Sequence, residues 1–312
     1  YHDSCTDGFG AAFAAWLKFG DEANSLPMQY GQMDLKHEEV FDPHKNYHTG
    51  HRFHPDALAE KEVYILDFSF SRETMEHLFT HAKRVVWLDH HKTAFEMWCG
   101  EYRRGMHYAA DEVTGTRHWI TLDDNKSGAM LAWEYFHPGT EVPRLIQHID
   151  DRDRWQFRLE GSKELHAALA SYKPWSFEQW QEKLFHHTSI RLENYYAEGA
   201  AILRAQDAAV AQAVKHARKC LIWGNNGGEG DWLVGLAVSC PLHQSEIGHE
   251  LANKSGTFGL IWYMKEDGSI ICSLRSNGDY DVSAIAKAFG GGGHKNAAGF
   301  QTDVQTLMGW LK

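Results

Sequence analysis

Two short apolar runs, residues 63–68 and 85–88, each deliver an aspartate where the run ends: Asp67 near the end of the first and Asp89 directly after the second. Runs this short and this apolar read as strands buried on both faces. Helical patterns alternate with them. Residues 8–20 are small and apolar, Ser71 stands where an N-cap would open a helix running through Leu78, and residues 127–136 and 142–149 read as two more helices. Strand–helix alternation argues for a parallel, doubly wound sheet, and in such sheets ligands bind beyond the carboxyl ends of the strands. Asp67 and the triplet Asp89-His90-His91 fall there, and His2 and Asp7 follow a presumed earlier strand. The chain begins at Tyr1 rather than Met, directly before this motif, so a short N-terminal strand is expected ahead of it.

A chain of 312 residues suits two domains. Residues 160–218 are largely helical and amphipathic, after which the texture changes. Residues 220–238 and 259–274 read as strands, the latter broken by a turn at Glu266-Asp267-Gly268, with helices at 245–252 and 283–289. The expected organisation is an α/β N-terminal lobe with a doubly wound, mainly parallel sheet (1–190), a helical linker (191–218) and a smaller α+β C-terminal lobe (219–312). Residues 29–61 are polar and carry His37, His44, His48, His51 and His54 without finger or helical spacing, which reads as an irregular surface excursion rather than a metal site.

The acidic balance excludes some functions. A formal net charge of −11 tells against gripping long nucleic acid, so any phosphate substrate needs local positive charge or a bound cation. No apolar segment approaches the length that crosses a membrane, and no secretory or transit signal is evident. Five cysteines, an odd number with no C-x-x-C pair, fit a reducing cytoplasm better than a disulfide framework.

Taken singly, the strand-end residues have ordinary readings: Asp7 as an N-cap, Asp67 as turn chemistry, His90 or His91 as a core histidine. Their joint placement at strand ends of one lobe favours a carboxylate–imidazole cluster. Mixed oxygen and nitrogen donors suit Mn²⁺, Fe²⁺, Co²⁺ or Zn²⁺, and a shared carboxylate can hold two ions about 3.5–4 Å apart. The run Asp150-Asp151-Arg152-Asp153-Arg154-Trp155 is either a self-neutralising surface or a further donor anchored by its tryptophan. Residues 290–300 open with four glycines followed by His294 and Lys295, a pattern that offers free backbone N–H groups to a phosphate, with Arg275 as a second phosphate ligand.

As a set these motifs resemble the DHH phosphoesterases, in the branch carrying the DHH-associated C-terminal domain, which includes oligoribonuclease-like phosphodiesterases. The matching stretches are His2-x-x-Cys5-x-Asp7-Gly8, residues 63–67, Leu88-Asp89-His90-His91, Asp151, residues 273–276, Asp281-Val282-Ser283 and the glycine loop through Phe300. The resemblance implies an active site in a cleft between the lobes and two divalent ions, usually Mn²⁺. Asp67 would bridge them, with Asp7, His90 and Asp151 on one ion and His2 on the other. His91 would face the substrate phosphate and Asp89 would orient its neighbours. Arg275, Gly292, Gly293 and His294 would hold a substrate phosphate. Many relatives carry Asp where Cys5 stands; a thiolate ligand would shift preference toward Zn²⁺, Fe²⁺ or Co²⁺, and a non-ligating Cys5 would weaken that site.

The implied function is a metal-dependent phosphodiesterase that hydrolyses short single-stranded oligonucleotides or small nucleotide phosphoesters by a metal-activated hydroxide. The 3′-phosphoadenosine-5′-phosphate monoester and cyclic dinucleotides are the competing substrates, and a catalytically weak nucleotide-binding protein is the alternative of another class. Neither long duplex nucleic acid nor a membrane is expected as a partner, and a homodimer is allowed.

Overall fold

The computed structural model describes residues 1–3, 5–29, 32–33, 35, 54–98, 107–109, 118–182, 189–224 and 231–312. Most of the histidine-bearing excursion, from His37 through His51, and Cys99 lie outside these residues. The chain divides into two compact units, Tyr1–Ile202 and Leu203–Lys312.

In the first unit, β1 (Glu62–Leu66) pairs in parallel with β2 (Arg84–Asp89), and β2 in parallel with β4 (Trp119–Leu122); β3 (His107–Ala109) closes the edge antiparallel to β4. The sheet order is β1-β2-β4-β3, mainly parallel as the alternation predicts. β3 and β4 carry no long apolar run and escape a pattern reading. Alternate residues of the two apolar strands feed two different cores. Val63, Ile65, Val85 and Trp87 pack with Met75 and Leu78 of α2 (Arg72–His81). Leu66, Val86 and Leu88 pack with Phe13 of α1 (Thr6–Phe19), Leu131 of α4 (Gly128–Phe136) and Ile146 of α5 (Arg144–Asp153). Covering both faces is what lets these strands be apolar throughout. Ser71 and Ser127 cap α2 and α4 through their hydroxyls. Helix α5 extends to Asp153, so the acidic run predicted as a separate segment is the last turn of a helix.

The second unit is a six-stranded sheet in the order β5-β6-β7-β8-β10-β9, built from β5 (Arg218–Gly224), β6 (Asp231–Ser239), β7 (Phe258–Met264), β8 (Ile270–Ser276), β9 (Gly292–His294) and β10 (Ala297–Thr302). Helix α9 (Gln244–Ser255) joins the parallel pair β6 and β7, and Gly268 at φ +82° turns β7 into β8. The glycine run is not a plain turn: its second half is β9, paired antiparallel with β10. No helix among the described residues is long and apolar enough to cross a membrane.

Candidate metal centre

The carboxyl edge of the first sheet gathers the charged groups. His2 N donates to Leu66 O and Asp67 N donates to Leu88 O, which pins the N-terminal segment, β1 and β2 together where their side chains leave the sheet. Asp67 follows β1 at φ +54°, a left-handed conformation that is uncommon for a residue with a Cβ and clusters at functional sites. Its side chain is buried, and Gly128 leaves it room: a Cβ at that position would stand 2.3 Å from Asp67 Cβ. Asp7, in the first turn of α1, accepts from Gly128 N at 2.6 Å and Ala129 N at 2.9 Å, so it also holds the positive N-terminus of α4. Asp89 accepts from His90 N, His91 Nδ1 and Ser69 Oγ, which fixes the His91 ring and the backbone of the triplet.

Three donor groups share one carboxylate: His2, Cys5 and Asp67; Asp7, Asp67 and His90; and Asp67, Asp89 and His91, the last already joined by the Asp89–His91 hydrogen bond. Cys5 caps α1, its Sγ accepting from Gly8 N at 3.1 Å, and the same sulfur lies 3.2 Å from His2 Nδ1 and 3.5 Å from Asp67 Oδ2. It is thus both a cap and a potential soft donor. His90 Nε2 is ringed by carboxylate oxygens: Asp67 Oδ1 at 3.0 Å, Asp7 Oδ2 at 3.4 Å and Asp153 Oδ2 at 3.6 Å.

This crowding shifts several of the groups in it. Burial and the neighbouring Asp7 push the Asp67 carboxyl up to about 7. Burial opposes the charge on His90, yet Asp67, Asp153 and Asp7 hold its imidazolium well above the usual histidine range. Burial and His91 depress His2 to about 4, and burial with Asp67 and Asp7 raises the Cys5 thiol. Asp89 is buried too, but His91 and Ser69 hold its carboxyl below the usual range. Buried carboxylates at this density demand positive charge among them, which protons on His90 and His91, both raised above the usual histidine range, supply in part. Asp67 Oδ1 is buried and makes no hydrogen bond of ordinary geometry. The donor set and the unsatisfied oxygen fit divalent cations, with Asp67 common to each donor group.

The acidic run contributes Asp153 to this centre, not Asp151. The Asp151 carboxylate accepts from Arg158 N at 2.8 Å, Leu159 N at 3.1 Å and Ser162 Oγ at 2.5 Å, which commits it to anchoring the turn between α5 and α6 (Ser162–Ser171). Asp150 accepts from Ser127 N at 2.7 Å and pairs with Arg154, the self-neutralising arrangement that the sequence also allowed. Sequence reading overlooked Gly128 and Ser69 as supports. The Ser127-Gly128-Ala129 opening of a helix was a usable signal for the first.

In the second unit, the register sets His294, Ala297, Arg275 and Gly259 side by side across four strands, so their side-chain positions share one face. The small Ala297 separates the two cationic-type residues. Gly248 of α9 makes room for Arg275, because a Cβ there would lie 2.5 Å from Arg275 Cγ. Arg275 donates to Ser245 Oγ at 3.0 Å and to Leu274 O at 2.8 Å. Gly291 and Gly293 are required by close approach: a Cβ on either would stand 2.1 Å from Gly299 O or 2.5 Å from Ala297 O respectively. These glycines build a hairpin, and Gly292 and Gly293 lie in its strand beside His294.

Residues 242–309 match the DHHA1 domain model. An uncharacterised protein of Acanthamoeba polyphaga mimivirus is 28% identical over 311 residues, covering 96% of this chain and 66% of that protein. Oligoribonuclease NrnB of Bacillus subtilis is 23% identical over 307 residues, covering 96% of this chain and 71% of that protein. Two solved structures align with a TM-score of 0.36 each: an uncharacterised Helicobacter pylori protein at 15% identity (96% of this chain, 91% of that one) and a pGpG-specific phosphodiesterase of Vibrio cholerae at 12% (80% and 95%). The DHHA1 match in the second unit, the alignment with the Bacillus protein along nearly the whole chain, and the Asp89-His90-His91 triplet at the carboxyl edge of a mainly parallel sheet together support a DHH-type phosphoesterase.

Proposed function

We propose that the chain is a divalent-metal-dependent phosphodiesterase acting on short single-stranded oligonucleotides or small nucleotide phosphoesters. The observation that carries this reading is Asp67, a buried strained carboxylate common to three donor groups, one of whose oxygens has no ordinary hydrogen bond. His2 and Cys5 would hold one cation with Asp67; Asp7, His90 and Asp153 would hold the other. Bound there, two cations lower the pKa of water and neutralise charge on a phosphate. Asp89 fixes the His91 ring through Nδ1 at 2.7 Å, which leaves its far edge to contact the substrate phosphate. Within the second unit, Arg275 and His294 stand in one row of its sheet and would bind a phosphate group, Arg275 already oriented by Ser245. Charge furnished locally in this way reconciles phosphate binding with a net charge of −11. The name of the Bacillus relative supports an oligonucleotide substrate.

Mononucleotide release from a 5′-phosphorylated dinucleotide, assayed with Mn²⁺, Zn²⁺, Co²⁺ and Mg²⁺, tests the reading. Wild type turns over and Asp67→Asn falls by about 10³-fold, roughly 4 kcal/mol of transition-state stabilisation. Including 3′-phosphoadenosine-5′-phosphate and a cyclic dinucleotide in the panel ranks the substrates. Equal inactivity of wild type and Asp67→Asn with every ion and substrate would sink the enzyme reading.

A further inference from the structure

A second cluster of metal-type donors lies apart from the centre above. The short 3-10 turn Pro55–Leu58 immediately precedes β1, and α2 returns past the sheet to end beside it, Glu60 N donating to His81 O at 2.9 Å. This is the amino edge of the sheet, whereas Asp67 and Asp89 leave its carboxyl edge. Here the Asp56 carboxylate meets an imidazole at each oxygen: His77 Nε2 at 2.6 Å from Oδ1 and His54 Nδ1 at 3.2 Å from Oδ2. The histidine side chains are mostly buried, at 17% and 22% exposure, while Asp56 is 57% exposed, so the ring positions are fixed and one side stays open to water. His81 stacks on His77 with centroids 4.0 Å apart and hydrogen-bonds the His77 carbonyl through Nδ1, which steadies the His77 ring.

We propose that His54, Asp56 and His77 form a surface site for one divalent transition-metal ion of the zinc class. Three donor atoms, one from each residue, lie within 4.8 Å of one another. Zinc–nitrogen bonds of about 2.0–2.1 Å put tetrahedral ligand atoms about 3.4 Å apart, close to the present His54–Asp56 separation; the His77–Asp56 pair opens by under about 1 Å, which an exposed carboxylate can do. His54 Nδ1 accepts from Asp56 N at 3.2 Å as the cap of the turn and lies 3.2 Å from the Asp56 carboxylate. Ligation through Nδ1 exchanges that one capping hydrogen bond for a metal bond beside the carboxylate, with water completing the shell and solvating the released amide. Occupied, the site ties the turn before β1 to the helix after it.

Zinc titration by calorimetry and metal analysis after dialysis against low-micromolar Zn²⁺ would compare the wild-type chain with Asp56→Ala and His77→Gln. The wild type binds one zinc more than either variant, its melting temperature rises with zinc where that of Asp56→Ala rises less, and both variants keep wild-type turnover of the dinucleotide with Mn²⁺. A zinc-edge anomalous peak between the three side chains in a soaked crystal supports the site. Equal zinc stoichiometry in wild type and Asp56→Ala, a folded protein changed only at an exposed side chain, overturns it. Loss of dinucleotide turnover in every form leaves this metal count unaffected, so the two proposals fail separately.

Discussion

Asp151 and Asp153 differ by two positions and should behave as opposites when removed. Asp151 is buried, and its carboxylate accepts from two backbone amides and the Ser162 hydroxyl. The turn it holds contains Trp155 and Phe157 at φ +56° and +51°, conformations that persist only where surroundings enforce them. Hydrogen bonds to a charged group contribute about 1.5–3 kcal/mol each, and amides near the surface recover part of that from water, so Asp151→Ala should cost about 3 kcal/mol. In a unit of this size each kcal/mol moves the melting temperature by about 2–4 °C, giving a drop of about 6–12 °C. Asp153→Asn removes one of three carboxylates around His90 Nε2, so it should leave the melting temperature unchanged or raise it while Mn²⁺-dependent hydrolysis falls by about 100-fold, or 2.7 kcal/mol. Thermal unfolding by circular dichroism and steady-state kinetics on the same preparations read both numbers. If Asp151→Ala abolished turnover at an unmoved melting temperature while Asp153→Asn stayed active, the assignment of the acidic run would be wrong.

Gly128→Ala should both destabilise the first unit and abolish activity, because the new methyl would collide with Asp67 at 2.3 Å; a fully active variant of wild-type melting temperature contradicts that geometry. Cys5→Asp should shift metal preference from Zn²⁺ toward Mn²⁺, whereas Cys5→Ser keeps the cap of α1 and weakens zinc binding at least tenfold; metal-dependent activity profiles of the two variants decide between cap and ligand. His148, hydrogen-bonded to Ser162 Oγ and Tyr196 OH, is depressed from 6.5 to about 4, first by burial and then by Arg144. The unfolded chain therefore binds its proton first, so stability should decline as pH falls from about 6.5 through 4, and His148→Gln should flatten that part of the stability curve.

The two apolar runs and their terminal aspartates were legible in the sequence because strand periodicity is local. Continuous burial on both faces requires a parallel sheet with helices on each side, and a parallel sheet places every strand end on one edge. That much fixes Asp67 and the Asp89-His90-His91 triplet as neighbours without coordinates. The turn at Gly268 and the caps Ser71 and Ser127 follow from equally local chemistry. Long-range packing decided the rest. On a helix, residues two apart point about 200° away from each other, so Asp151 and Asp153 face opposite sides of α5. Which side meets the centre depends on α6 and its Ser162, contacts that no spacing in the sequence reveals. The glycine run likewise reads as a loop until β10 pairs with it and sets His294 in the same row as Arg275. Only the tertiary fold could bring His54 and His77 to one carboxylate, since 22 residues and a whole strand lie between them and pattern constrains only what the chain does locally.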